Sequence, residues 1–288
     1  MKSTFVNQSK TVFLLGALMG LFVAVGSIWG TQGMIIALVA GGAVNIGSWF
    51  FSDKLAILSM RGKEVTREGG PQVVGQMSSR EFYELVDELR QRAGLPMPRV
   101  YICPHQAPNA FATGRSPKKA AVAATQGLLQ MMSRDEIAGV MAHELAHVKN
   151  RDTLTSCIAA TIAGVLAFLA QWFFLIGGSR REGGNPLVVF GVIALAAIGA
   201  AMIKAMISRS REYVADAHGA EIAGSPEGLA SALAKLDAMS RRIPLVQPNP
   251  AQNNLFIVEP LAGGQALVSL FATHPPTEKR IAALRSMR

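Results

Sequence analysis

The chain has 288 residues, of which 50% are hydrophobic and 16% are charged. This composition excludes an intrinsically disordered protein and a coiled coil. The 28 basic and 19 acidic side chains give a net charge of +9, but the Lys and Arg residues are scattered and form no stripe interleaved with aromatic residues. Nucleic-acid binding is therefore not expected. The apolar residues come in blocks, which indicates membrane-spanning segments.

The first apolar block is the run of 42 residues between Lys10 and Asp53, which contains no Asp, Glu, Lys or Arg. One helical crossing of a bilayer needs about 20 apolar residues, so the block is long enough for two. Two glycines at residues 30–33 predict a turn that divides it into spans at Thr11–Trp29 and Met34–Phe51. A cleaved signal peptide is the alternative for the first span, but the second span follows it too closely.

Two further uncharged stretches, Thr153–Ser179 and Gly183–Ile203, predict a second membrane hairpin. A hydrophobic helical hairpin buried within protein is the alternative, because such helices are also apolar all round. The four spans divide the chain into a first membrane hairpin (1–52), a first polar part (53–152), a second membrane hairpin (153–207) and a second polar part (208–288).

The Lys and Arg residues predict how the spans are oriented. Segments 52–152 and 208–288 hold 14 and 9 of them, whereas the short turns within the two hairpins hold none and two. Because positively charged segments stay on the cytoplasmic side, both termini and both polar parts are expected in the cytoplasm. Of the two cysteines, one is in a polar part and one in a span, so no structural disulfide is expected, which suits a reducing compartment.

The first polar part predicts mixed α and β structure. Ser78 begins an amphipathic helix with a capping box, and Gly94 ends this helix. Residues 99–102 predict a strand, and residues 109–125 predict a β-hairpin. A small sheet is therefore expected.

A second capping box, formed by Ser133 and Glu136, starts a helix that is expected to run through Val148. This helix carries the chemistry. The second polar part is expected to be helical, with one helix starting near Ser225 and a last one near Pro275–Met287.

The chemistry lies in the sequence H-E-L-A-H at residues 143–147. Residues four apart share one face of a helix, so His143 and His147 can bind the same metal ion. Glu144 can act as the general base, which takes a proton from water and passes it to the leaving amine. Two histidines that only pack on a helix are the alternative. The ligand types favour one Zn²⁺ per chain, although they can hold other divalent metals.

Three protein ligands leave one coordination position open for water, so a third ligand is needed. Asn150 and Thr153 stand where the metzincin pattern has Gly and His. Beyond the fourth span, Glu212 is the expected third ligand. Asp216, one helical turn later, is placed to accept the other ring N–H of a metal-binding histidine. His218 is the competing ligand, although it lies off that face.

Several motifs together resemble one family. They are H-E-L-A-H followed by Asp152, N-A-F-A-T-G at residues 109–114, E-Y-V-A-D at residues 212–216 and H-P-P at residues 274–276. With four spans in this order, the chain resembles the HtpX family of bacterial membrane-bound heat-shock zinc metalloproteases, which are related to prenyl-protein endopeptidases. The resemblance covers nearly the whole chain.

The resemblance implies a gluzincin-type zinc endopeptidase in the bacterial cytoplasmic (inner) membrane. Such an enzyme hydrolyses misfolded or damaged membrane proteins at the cytoplasmic face, in protein quality control and the stress response. The implied partners are membrane-protein substrates and the lipid bilayer, with a functional link to other membrane proteases. The resemblance also supports the three metal ligands and the general base named above.

Two further site residues come from the resemblance alone: it implies that Asn109 and His274 contact the substrate backbone or the transition-state oxyanion. A turn residue and a helix cap are the alternatives for these two positions. Asp152 is expected to support the site by anchoring the end of the active-site helix rather than by taking part in the chemistry.

The expected fold class is a mainly α membrane protein. Four transmembrane helices in two hairpins are expected to carry a cytoplasmic α+β zincin-like metalloprotease domain, with a small sheet and an active-site helix. Two alternatives stay open. One is a prenyl-protein-type endopeptidase of narrow specificity, which should need more than four spans. The other is a four-span channel or transporter with a structural zinc site, although the spans carry almost no ionisable residue.

Overall fold

A computed structural model describes residues 26–73, 75, 77–152, 211–240 and 275–287, with the single residues Gly16, Met19, Gly20 and Val23. The predicted spans Thr153–Ser179 and Gly183–Ile203 lie outside the described residues, as does most of Thr11–Trp29. Among the residues that are described, no helix combines the length and the hydropathy needed to cross a membrane. The four spans therefore stay a prediction.

The first long helix, α1, runs over Gly30–Ser59. The prediction of a chain reversal at residues 30–33 was wrong, because these residues are the first four of the helix. The irregular backbone lies just before them, in a 3-10 turn at Ser27–Trp29. Gly30 follows with a φ of 74°, a value that favours glycine. Helix α1 also continues past Phe51, so its end is not set by the first charged residues.

Four strands form one small mixed sheet: β1 (Lys63–Val65), β2 (Arg99–Cys103), β3 (Ala110–Thr113) and β4 (Ala121–Thr125). Their order is β1-β2-β4-β3, with β2 and β4 parallel and the other two pairs antiparallel. The predicted strand and hairpin are confirmed. The three-residue strand β1 was not predicted, because it is too short to show an alternating pattern and depends on its pairing with β2.

Strand β4 explains how an alanine-rich segment becomes a strand. It is bonded to a neighbour on each side, and both of its faces are covered. Val122 and Ala124 face the main core, whereas Ala121 and Ala123 face a smaller cluster beneath the end of α1. Small side chains fit between two covering layers, which outweighs the weak strand propensity of alanine.

Among the described residues, six α-helices follow strand β1. They are α2 (Ser79–Ala93), α3 (Gln126–Met131), α4 (Arg134–Asn150), the helical residues 211–223 (α5), α6 (Glu227–Ser240) and α7 (Thr277–Arg285). The starts predicted for α2 and α4 are confirmed, because both helices begin with a capping box. Helices also occur where the second polar part predicted them, near Ser225 and near the C-terminus.

Helix α4 lies in the centre of the main hydrophobic core, where its neighbours hold it in place. Glu136 in its first turn accepts hydrogen bonds from Ser231 Oγ at 2.6 Å and Lys235 Nζ at 2.8 Å, both in α6. Its apolar side chains, including Ile137, Met141 and Leu145, are fully buried. The helix that carries the H-E-L-A-H sequence is therefore fixed at its start and along its length.

Candidate metal centre

Two histidines and a glutamate come together where α4 and α5 cross. His143 and His147 are one turn apart on α4, and their Nε2 atoms are 3.1 Å apart. Glu212 of α5 places Oε2 3.5 Å from His143 Nε2 and Oε1 3.4 Å from His147 Nε2. These three side chains form the one group of potential ligands found among the described residues, with ligand atoms within 4.8 Å of one another. Two imidazoles and a carboxylate fit a metal ion such as Zn²⁺.

A glycine allows α5 to approach α4 at this point. A Cβ atom at position 219 would lie 3.0 Å from both Cα and N of His143, closer than side-chain carbons pack. Gly219 is two turns after Glu212 in the same helix. The backbone contact at Gly219 therefore brings Glu212 and Asp216 within reach of the histidines. The residue type alone did not reveal this role, because a glycine within a helix has many explanations.

Each histidine ring has a carboxylate at its second nitrogen. Asp216 Oδ1 lies 3.0 Å from His143 Nδ1, and Asp152 Oδ2 lies 3.2 Å from His147 Nδ1. A carboxylate in this position holds the ring so that Nε2 points toward the metal. The structure thus places Asp152 directly on His147, just beyond the C-terminal cap of α4 at Arg151.

Arg280 of α7 also enters this site, although no motif in the sequence selects it. Its side chain is only 1% exposed. Nη2 lies 2.7 Å from Asp216 Oδ1 and Nε lies 2.9 Å from Asp216 Oδ2, while Nη1 lies 3.3 Å from Glu212 Oε2. The signal in the sequence was weak, since Arg280 stands in a short helix with other basic residues.

The site attracts positive charge. Burial by itself would lower the pKa of His147, but hydrogen bonds to Asp152 and Glu212 outweigh burial and raise this pKa well above its ordinary value. The pKa of His143 is also raised, because Asp216 and Glu212 together outweigh the effect of burial. An environment that favours a charged imidazole so strongly is one that also suits a divalent cation between the same groups.

Glu144 is buried beside the two histidines, at 6% exposure. Burial raises the pKa of its carboxyl group, which the charges on His143 and His147 would lower. The backbone of Ala112, in strand β3, forms a hydrogen bond with this carboxyl group. Glu144 is thus held between the sheet edge and the group of ligands, within the environment that a general base needs.

Three predicted residues remain, namely Asn109, His218 and His274. Asn109 is buried at the start of β3, where its backbone N–H donates to Thr125 Oγ1 at 2.9 Å. His218, the competing ligand, lies with Nδ1 3.1 Å from Asn150 Oδ1 and is not part of the group of three. His274 lies outside the described residues.

Comparison with known proteins gives the family. The model of peptidase family M48 matches residues 77–288, which include His143, His147 and Glu212. The chain belongs to peptidase family M48. It is 51% identical over 98% of its length to a protease HtpX homolog of Desulfatibacillum aliphaticivorans, 90% of which is covered. It is 47% identical over 98% of its length to that of Syntrophobacter fumaroxidans, 99% of which is covered.

A solved structure shows the same fold at greater distance. The crystal structure of S. mikatae Ste24p matches 99% of this chain with a TM-score of 0.53 and 19% sequence identity, and the chain spans 66% of that protein's length. Family membership and the group of three ligands make the chain a metalloendopeptidase of the HtpX type. The expected resemblance is confirmed, and a peptidase family leaves the channel or transporter alternative without support.

Proposed function

We propose that the chain is a zinc-dependent endopeptidase of the bacterial cytoplasmic membrane that hydrolyses misfolded or damaged membrane proteins at the cytoplasmic face. The observation that carries this proposal is the group formed by His143, His147 and Glu212 beside the buried carboxyl group of Glu144. The division into two membrane hairpins (1–52 and 153–207) and two cytoplasmic protease parts (53–152 and 208–288) belongs to the same proposal.

In this proposal, each side chain of the site has one task. His143 Nε2, His147 Nε2 and the Glu212 carboxylate hold the zinc ion. When bound, zinc polarises the scissile carbonyl and makes water a better nucleophile near neutral pH. Glu144 accepts a proton from the attacking water and returns it to the leaving amine. Its raised pKa suits this cycle, because the carboxyl group must both take up and release a proton.

Helix α1 supports attachment to the membrane. Many of its large apolar side chains are exposed. Those more than half exposed are Ile35, Ile36, Val39, Ile46, Phe51 and Leu58. Soluble proteins rarely expose so many large apolar residues on one element, whereas a lipid environment would cover them. The three long uncharged stretches of the sequence point the same way.

Basic side chains mark the end of this apolar region. Lys54 Nζ lies 6.0 Å from the centre of the Phe51 ring, and the Arg115 guanidinium lies 4.7 Å from the centre of the Phe50 ring. Aromatic rings and basic groups together are typical of the membrane–water boundary on the cytoplasmic side. The protease parts would then begin at this boundary.

The distances along the chain support substrates at the membrane surface. His147 precedes the predicted third span by about 6 residues, and Glu212 follows the fourth by about 5 to 9. At 1.5 Å per residue along a helical path, both would lie within roughly 9–14 Å of the predicted spans. Cytoplasmic loops and displaced ends of membrane proteins are the segments that such a site can reach.

The experiment uses the full chain reconstituted into lipid nanodiscs with zinc. A membrane protein is offered in its stable form and as a destabilised variant, beside a farnesylated peptide and the Glu144→Gln enzyme as control. We expect the destabilised variant to be cleaved faster than the stable form, and not at all by Glu144→Gln. Equal cleavage of both forms would contradict the quality-control proposal. Cleavage of the farnesylated peptide alone would favour the prenyl-protein alternative.

A further inference from the structure

Arg280 places a permanent positive charge inside the ligand cluster. It forms two parallel contacts with the Asp216 carboxylate, at 2.7 and 2.9 Å, and a third contact with Glu212 at 3.3 Å. Asp216 is fully buried and Glu212 is 3% exposed. One guanidinium therefore joins a proposed metal ligand to the residue that orients another.

The charges around the histidines explain why a cation is needed here. Glu144, Asp152, Glu212 and Asp216 are all buried, and water cannot screen their repulsion in the interior. A bound divalent ion balances these charges when the site is loaded. Before loading, positive charge on the chain itself must hold the carboxylates together, or they will move apart toward solvent. On the side of Glu212 and Asp216, the described structure places Arg280 in that position.

Helix α7 delivers Arg280 by packing that is independent of the site. Leu284, one turn later, is fully buried in the main core. Arg285, on the other hand, is 57% exposed and lies 3.9 Å from Glu227 at the surface of α6. The helix is thus anchored by apolar packing, and its single buried charged side chain points into the ligand cluster.

We propose that Arg280 holds Glu212 in its ligand position and Asp216 against His143 while the metal is absent, so that zinc enters a preformed site. Arg280 is a positioning residue, since its charged contacts are with Glu212 and Asp216. The inference rests on the proposed metal ligands. It also requires the two-pronged geometry of a guanidinium, which a lysine ammonium cannot reproduce.

The test measures thermal unfolding of the purified full chain, once with a chelator and once with zinc. The variants are Arg280→Met, which removes the charge, Arg280→Lys, which keeps it, and Arg285→Met as an exposed control on the same helix. We expect Arg280→Met to lower the unfolding temperature without metal and to show a larger zinc-induced rise than wild type, because zinc replaces the missing cation. Arg280→Lys should lie between the two, and Arg285→Met should match wild type.

Other outcomes separate the inference from the proposed function. If Arg280→Met lowers the unfolding temperature equally with and without zinc, or leaves it unchanged, Arg280 does not preform the site. If this variant folds only with zinc, the double variant Arg280→Met/Asp216→Asn should recover folding without metal, and failure to recover would contradict the inference. A wild-type chain that shows no response to zinc would contradict the metal site itself, and the inference with it.

Discussion

The two metal-facing histidines are held by different carboxylates. Asp216 comes from the same helix as Glu212 and lies on His143, whereas Asp152 follows α4 directly and lies on His147. Asp152 is also approached by Arg211, whose Nε lies 3.7 Å from Asp152 Oδ1. Each ring is therefore fixed at the nitrogen that faces away from the metal position, and the loss of either carboxylate should loosen the site.

Replacing Asp152 by asparagine should weaken zinc binding by about 10- to 100-fold, since residues that orient metal-binding histidines have effects of this size. The amide keeps the volume of the carboxylate but loses its charge. The dissociation constant is measured by competition with a chelating dye. Asp87→Asn on the surface of α2 is the matched control and should bind zinc as wild type does. An unchanged constant for Asp152→Asn would remove Asp152 from the site.

Spacing predicted some site residues and could not predict others. His143, Glu144 and His147 follow from one turn of helix, and Glu212 follows from its place beyond the fourth predicted span, with Asp216 one turn later on the same face. The structure brings these residues together. Arg280 was missed because its position depends on how α7 packs against the core, and no local pattern in the sequence records that packing.

At the scale of elements, the crossing of α4 and α5 depends on Gly219. Alanine in its place would gain up to about 1 kcal/mol in helix propensity. The added Cβ would, however, lie 3.0 Å from the backbone of His143, so the two helices must separate by a few tenths of an ångström. Glu212 would then move away from the histidines.

Gly219→Ala should therefore weaken zinc binding and reduce the rate of peptide hydrolysis even if the chain remains folded. Zinc affinity and cleavage of an unfolded protein are measured together. Glu221→Ala, at an exposed position of the same helix, serves as control and should change neither. Wild-type affinity in Gly219→Ala would show that the close backbone approach does not position Glu212.

Glu136 connects the start of α4 to α6, and this connection should depend on pH. Burial would raise the pKa of Glu136, but Lys235 and Ser231 lower it below its ordinary value of 4.5. A lowered pKa stabilises the fold above pH 4.5, and this contribution is lost as the pH falls through the lowered value. The connection should therefore be strong at neutral pH and absent in acid.

Glu136→Gln should lower the free energy of unfolding at pH 7 by about 1–2 kcal/mol. The neutral amide cannot form the ion pair with Lys235 that the buried carboxylate forms. At pH 3 the difference from wild type should be smaller than at pH 7. Urea unfolding at both values measures this difference, with Glu84→Gln, at an exposed position of α2, as control. The same difference at both pH values would show that the charge of Glu136 is unimportant.

Capping signals explain which elements the sequence could predict. Ser78 with Glu81 and Ser133 with Glu136 marked the starts of α2 and α4, because these hydrogen bonds form within four residues. Strand β1 and the six-residue helix α3 were missed, since both are short and are stabilised by neighbours distant in sequence. The turn expected at residues 30–33 failed because glycine is compatible with both turns and helix starts.

On the scale of the whole molecule, three separated parts of the chain build one site. Residues 143–152, 212–219 and 280 contribute to it, and the M48 match spans all of them. The predicted second hairpin, residues 153–207, lies between the first two parts. If that hairpin is in the membrane, the metal centre joins two protease parts that the membrane segments separate.

The apolar surface of α1 gives a test of membrane attachment. Val39 is 66% exposed, and an aspartate in the middle of a span costs roughly 2.5–3.5 kcal/mol on insertion scales. Val39→Asp should therefore reduce the fraction of chain that remains in membranes after a carbonate wash, whereas Val39→Leu should not. Recovery of the wild-type chain in the soluble fraction would contradict the membrane proposal.

The central claim is that Glu144 is the base of a metal-dependent peptide hydrolysis, and one measurement tests it most directly. Zinc content and cleavage of casein are measured on the same preparations of wild type and Glu144→Gln, each with and without zinc. We predict one zinc per chain in both proteins, no cleavage without zinc, and a rate for zinc-loaded Glu144→Gln that is lower than that of zinc-loaded wild type by about 10²- to 10⁴-fold. Cleavage by zinc-loaded Glu144→Gln at the wild-type rate would contradict the account.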